Sequence, residues 1–355
     1  MNKKIDSLQF IRAFAAIIVA NSHIWNDGLL WGIFNEFGGF GVDLFFVLSG
    51  FIMCLTVKLD LGSNFKNSAY FLNRRITRIF PIYLICAIPL LIFVTKAEGV
   101  KSVYYYLGNI LLLPSFTNDP DYRLVLPPGW TLIYEMFFYY IFSLILLFSH
   151  NRFQILNIIG GILVSMVIIV QALGIQGPQL SWANFSYIIG DSLLVNFALG
   201  IIVYYIYERY NGKININIFW ALLFFTVICG VSITMIYFKI PRFLANGIPA
   251  FLAIIVFVFV KNSWFQGRLG RKLVFIGDAS YSIYLTHFYF SFFKPDFLSL
   301  GKIYIKNESF LINFVGISCM IGAILGGCLF YTFVEKPLIK VFSPKKMGAL
   351  EKRTQ

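Results

Sequence analysis

FLINFVGISCMIGAILGGCLFYTFV, residues 310–334, runs twenty-five positions without a charged side chain. A helix rises about 1.5 Å per residue and the hydrocarbon core of a bilayer is roughly 30 Å thick, so about twenty such residues cross it. FLANGIPAFLAIIVFVFV, residues 243–260, has the same character. Working outward from these two stretches, apolar runs between polar punctuation give ten segments: 8–25, 37–57, 74–95, 130–149, 153–173, 187–207, 216–238, 243–261, 275–293 and 309–334. The fold class expected is therefore an all-α integral membrane domain of about ten transmembrane helices. Composition agrees, because 59% of the 355 residues are hydrophobic and only 13% charged, against about 25% charged in soluble domains. A soluble fold has no means of hiding that much apolar surface.

The first segment, opening on Lys3 and Lys4, is read as retained rather than as a signal peptide. Arg12 interrupts its apolar run and no small-residue cleavage pattern follows. Cys54, Cys86, Cys229, Cys319 and Cys328 all fall in apolar segments without the spacing of a disulfide frame or a metal site, so they read as packing residues and no metal is expected. The net charge of +13 comes without a basic, aromatic-interleaved soluble module, which excludes nucleic acid as a partner. Topology accounts for it instead. With N and C termini cytoplasmic, the inner loops, tails and span ends hold 19 Lys and Arg, the outer loops 8, and Arg12 and Arg78 lie within spans. Residues 1–340 read as one membrane domain in contact with the lipid bilayer and 341–355 as a basic cytoplasmic tail. The long outer loop, 96–129, is expected to begin with an interfacial helix at 96–113.

Ionisable groups inside spans are costly and mark functional candidates. Arg12 and His23 lie eleven residues apart, about 16.5 Å along a helix with only about 20° of rotation, and so share one face. Asp43, Glu135 and His287 fall at depths comparable with His23, which suggests one outer layer; Asp191 ranks below them. At the other side, Arg75 and Arg78 are i, i+3 neighbours, at about the depth of Arg12, with Arg74 beside them. Guanidiniums at one level suit bidentate capture of phosphate groups. An alcohol is a poor nucleophile at neutral pH, so acyl transfer to it needs a base, and His23 is the obvious one. A carboxylate, Asp43 or Glu135, would orient the imidazole. Plainer readings exist: His23 beside Trp25 as an interfacial ring, the arginines as topology anchors, and FGGFGVDLFFVLSGF as small-residue helix packing.

At these residues the sequence resembles the acyltransferase 3 family of membrane O-acyltransferases, over about residues 5 to 340. Arg12 and His23 fall on the family's arginine-ten-residues-histidine motif, and FGVDLFFVLSGF, with Asp43, Ser49 and Gly50, resembles its second-span signature. Arg75 and Arg78 match arginine-two-residues-arginine, PPGWTLIYEMFFYY matches a tryptophan-to-glutamate segment through Trp130 and Glu135, and GDASYSIYLTHFYF resembles a late-span pattern at Ser280, Tyr281, Tyr284 and His287. The resemblance implies acetyl-coenzyme A as co-substrate, no tightly bound cofactor, His23 as the essential histidine and the arginines as contacts of the acyl-CoA donor. It implies a saccharide acceptor, such as O-antigen, capsule, exopolysaccharide or a lipid-linked precursor, at the bacterial cytoplasmic (inner) membrane. Some members carry a C-terminal hydrolase-like domain; with about twenty residues after its last span, this chain is expected to act as a membrane domain alone. The competing expectation is a transporter or flippase of lipid-linked sugars, although no inverted repeat is visible. Oligomeric state is not legible.

Overall fold

The computed structural model describes residues 5–25, 27, 31–117, 123–149, 151–261 and 263–342, with backbone only for 31–34. Lys3, Lys4 and the tail from residue 343 onward lie outside the described residues. The helices are α1 (Asp6–Ile24), α2 (Trp31–Thr56), α3 (Asn64–Glu98), α4 (Val103–Leu111), α5 (Gly129–Leu146), α6 (Arg152–Leu173), α7 (Phe185–Ile188), α8 (Leu193–Tyr210) and α9 (Ile218–Tyr237). They continue with α10 (Ile248–Val258, entered through a π turn at Phe243–Gly247), α11 (Arg268–Asp278), α12 (Ser280–Gly301), α13 (Glu308–Phe330, followed by a π turn at Tyr331–Glu335) and α14 (Lys336–Phe342). Among the described residues β structure is limited to two isolated bridges, Ser115 with Asn184 and Ile216 with Val260.

Among the described residues seven helices are long and apolar enough to cross a membrane: α1, α2, α3, α5, α6, α9 and α13 with its continuation. Ten segments were expected to cross. The segments expected at 187–207, 243–261 and 275–293 are helical but fall short for local reasons. Helix α8 carries Glu208 and Arg209 in its last turn, the helix at Phe243–Val258 is short, and α12 carries Lys294, Pro295 and Asp296. Buried helices need less hydropathy than lipid-facing ones, and α8 and α12 use that freedom to hold Asn196 and His287, both fully buried.

Helices α1 and α2 form the centre, α1 packing on α2, α11 and α12, and α2 on α8. In the apolar window of α2 72% of residues are buried, against 17% in α9, which therefore sits on the perimeter. The outer surface is apolar: Phe219, Phe224 and Val227 on α9, Ile168 and Ile169 on α6, and Ile321, Leu325 and Leu329 on α13 are all exposed. So large an exposed apolar surface marks contact with something other than water, here lipid. Close approach at the centre depends on glycine. A Cβ on Gly50 would lie 2.2 Å from the Phe197 carbonyl oxygen and one on Gly200 2.3 Å from that of Val47, so α2 and α8 cross backbone to backbone.

Helix α3 begins ten residues before its expected span. Ser63 caps it by accepting a hydrogen bond from the Lys66 amide, and Ser68 Oγ bonds to the Ser143 carbonyl at 2.7 Å, tying the extra turns to α5. The interfacial helix expected at 96–113 is the shorter α4, capped by Ser102 and ended by Leu112 at φ 54°.

Candidate active site

Helices α1, α2, α3, α5 and α12 enclose a cleft of about 790 Å³, counting the space open at its mouth. Arg12, Arg78, Glu135 and Ser280 line it, together with Ser49, Thr131, Tyr139, Tyr281 and Tyr284. The Arg12 Nε donates to Ser280 Oγ at 3.2 Å. Both Glu135 oxygens accept hydroxyl hydrogen bonds, from Ser49 at 2.9 Å and from Tyr139, one helical turn further along α5, at 3.1 Å. Among the described residues the Arg78 guanidinium has neither a hydrogen-bond nor an ion-pair partner. Two guanidiniums therefore face one carboxylate that already accepts two hydroxyls, and the cleft carries unspent donors suited to an anion.

Arg75 stands one step back. Its Nη2 donates to Thr56 Oγ1 at 2.8 Å, and its guanidinium lies over the rings of Phe71 and Tyr139, 5.4 and 5.7 Å from their centroids. Its buried Nε has no partner. Arg75 thus touches the cleft through Tyr139, while exposed Arg74 lies over the Tyr70 ring.

Helix α12 meets α1 at two points. Ser280 contacts Arg12, and His287 Nε2 lies 2.9 Å from His23 Nδ1. The shared face of Arg12 and His23 is thus the face turned to α12, and the two helices run parallel. Neither Asp43 nor Glu135 hydrogen-bonds to His23. The neighbour of the His23 ring is the second imidazole, while Asp43 and Glu135 make their hydrogen bonds elsewhere. Tyr281 OH donates to the Ile79 carbonyl at 2.9 Å. Tyr284 OH donates to the Pro128 carbonyl at 3.0 Å and shares a 2.8 Å bond with Thr131 Oγ1; its ring centroid lies 5.8 Å from that of His287. Trp130 packs edge-on against Tyr134 at the start of α5 and does not line the cleft.

Asp43, fully buried, accepts from Asn196 Nδ2 at 2.6 Å and from the Arg242 Nε and Nη2 at 3.1 and 2.8 Å. The outer layer therefore resolves into three groups: the histidine pair, the Asp43–Arg242–Asn196 cluster, and Glu135 in the arginine cleft. Asp191 is a fourth polar centre, accepting from Tyr134 OH at 2.7 Å. Sequence reading missed Arg242, counted as a loop charge; its one signal is a position beside an expected span end at the depth of Asp43. It also missed buried Glu335, which accepts from Ser282 Oγ at 2.5 Å, and buried Lys294, ion-paired with Asp27.

A lipid-faced helical bundle around a charged internal cleft is the architecture of a multi-pass membrane protein with its site between helices. The chain belongs to the acyltransferase 3 family, whose model, described as an acyltransferase domain, matches residues 5–333. It is 27% identical to O-acetyltransferase OatA of Staphylococcus aureus over 97% of this chain and 60% of that protein, so it spans about 60% of the length of that relative. It is 27% identical to a putative acetyltransferase, ORF330, of Acidianus two-tailed virus, over 81% of this chain and 84% of the other. With the exopolysaccharide production protein ExoZ of Rhizobium meliloti it shares 25% identity over 85% and 90% of the two chains. No solved structure matches the chain.

Proposed function

We propose that this protein moves an acetyl group from cytoplasmic acetyl-coenzyme A to a hydroxyl of an extracytoplasmic or lipid-linked saccharide, with His23 as general base. The observation that carries the reading is the cleft, in which Arg12 of α1, the helix whose far end holds His23, and Arg78 of α3, unpartnered among the described residues, offer guanidinium donors. The donor's phosphates bind at the arginines, and the extended pantetheine arm carries the thioester toward His23. The acceptor hydroxyl gives its proton to His23 Nε2 as its oxygen attacks the thioester carbon; the C–S bond breaks, and the proton passes to the departing thiolate. An acetyl ester and free coenzyme A result, with no acyl-enzyme. The likeness to an O-acetyltransferase and to an exopolysaccharide production protein supports a saccharide acceptor.

Charge supports a cytoplasmic-membrane location with both termini inside. The ten expected segments leave 19 Lys and Arg on the inner side against 8 in the outer loops, the bias expected for this orientation. The direct test is mass spectrometry of cell-surface glycan from strains with and without the gene. Loss of O-acetyl groups on deletion, restored by complementation, is the expected result; an unchanged glycan rules the reading out.

Donor binding separates a phosphate site from a topology anchor. Arg12→Lys or Arg78→Lys keeps the charge that sets orientation but loses the planar fork. Binding of acetyl-coenzyme A to purified protein, followed by calorimetry, should weaken by about ten- to a hundredfold, corresponding to roughly 1.5–3 kcal/mol per lost charge-assisted contact. Lysine variants that bind as tightly as the wild type would remove the phosphate role.

A further inference from the structure

His23 and His287 share a 2.9 Å hydrogen bond between Nδ1 and Nε2, and such a bond needs one N–H and one lone pair. The remaining nitrogen of His287 decides which ring donates. Its Nδ1 lies 3.3 Å from the Ile283 carbonyl oxygen, which can only accept. With both rings neutral, His287 therefore keeps its proton on Nδ1 and its lone pair on Nε2. His23 must then donate from Nδ1, which leaves the lone pair on its own Nε2. Among the described residues that Nε2 has no partner, and His23 is the exposed residue in the last turn of α1.

We propose that His287, bonded to Ile283 behind it and to His23 in front, is the positioning residue that holds His23 in the Nδ1–H tautomer and so presents Nε2 as a base. The proposal rests on His23 being the base in the reading above. Two further contacts from α12 fix the end of α1. Ser291 Oγ donates to the His23 carbonyl at 2.9 Å, and Lys294 is ion-paired with Asp27. Residues 287, 291 and 294 follow the i, i+4, i+7 spacing of one helical face. Thus α12 holds the backbone of the His23 turn as well as its ring. When Nε2 takes the acceptor's proton, the His23 imidazolium still donates from Nδ1 into the lone pair of His287, so no second proton has to move.

The test uses the full chain in lipid bilayers, labelled with ¹⁵N-histidine. The sequence holds only three histidines, and the signal of the third, His150, is identified by replacing it. Protonated and lone-pair-bearing ring nitrogens have well-separated ¹⁵N shifts, so the tautomer is read directly. The wild type should show His23 protonated on Nδ1. His287→Leu should return it to the Nε2–H form that free neutral histidine favours and lower turnover by roughly 10²–10⁴-fold with KM for acetyl-coenzyme A unchanged. His287→Gln, whose amide oxygen can accept the Nδ1 proton, should keep the tautomer and most of the turnover. A wild-type spectrum with His23 protonated on Nε2 overturns the proposal, and that spectrum needs no variant to fold. So does a His287→Leu protein with unchanged tautomer and turnover. A fully active His23→Ala protein overturns the base reading instead, and is told apart because the wild-type tautomer stays as described.

Discussion

His23→Ala is expected to lower acetyl transfer by about 10²–10⁴-fold, the usual contribution of a positioned base, while the protein still inserts and accumulates. Both halves of that expectation come from the geometry. His23 is exposed at the end of α1, so its ring adds little packing and its removal opens no enclosed cavity. The neighbouring turn remains anchored, because Ser291 bonds to the backbone carbonyl of residue 23 rather than to its side chain. What is lost is the group that takes the hydroxyl proton. Acetylation of a saccharide acceptor by purified protein, with accumulation checked by immunoblot, measures both quantities. Wild-type turnover from a well-accumulated His23→Ala protein would sink the proposed mechanism.

Asp43→Asn is expected to act chiefly on stability, and strongly. Asp43 is fully buried and takes three hydrogen bonds, two of them from Arg242. Removing one member of a buried ion pair leaves the other charge uncompensated, at a cost of roughly 3–5 kcal/mol. Arg242→Leu should cost a similar amount from the other side. The double variant Asp43→Leu with Arg242→Leu leaves neither charge stranded, so it should regain most of the thermal stability lost by either single change. Unfolding midpoints of detergent-purified protein give the comparison. Strict additivity of the two single effects would show that the pair does not act as a unit.

The helical, lipid-facing character of the chain was legible because it rests on local hydropathy. The shared face of Arg12 and His23 was also legible, since rotation per residue is fixed within a helix. The neighbours of that face were not. Helical period says which residues of one helix point the same way, whereas their partners depend on which helices pack together. Equal depth thus suggested Asp43 or Glu135 for His23, when α12 supplies His287 at that position. Arg242 was hidden for a related reason: a charge beside a span end looks like a loop charge until the π turn at Phe243–Gly247 and α2 are seen to bring it to Asp43. Seven of the ten expected spans meet the length and hydropathy of a lipid-crossing helix, because hydropathy measures contact with lipid. The polar residues that lower the hydropathy of α8 and α12 belong to helices that use them against protein.

Tyr284 forms a wall common to the arginine cleft and the histidine pair, held by Pro128 and Thr131. An energised membrane makes that wall an insulator. Each elementary charge crossing it gains about 2.3 kcal/mol per 100 mV, so a continuous file of water from the arginines to His23 would let protons run down the gradient. The acyl transfer proposed above requires a passage at the same point. The two demands are compatible when the thioester arm fills the gap that it opens at Tyr284, so that the donor conducts the acyl group while closing the route to ions.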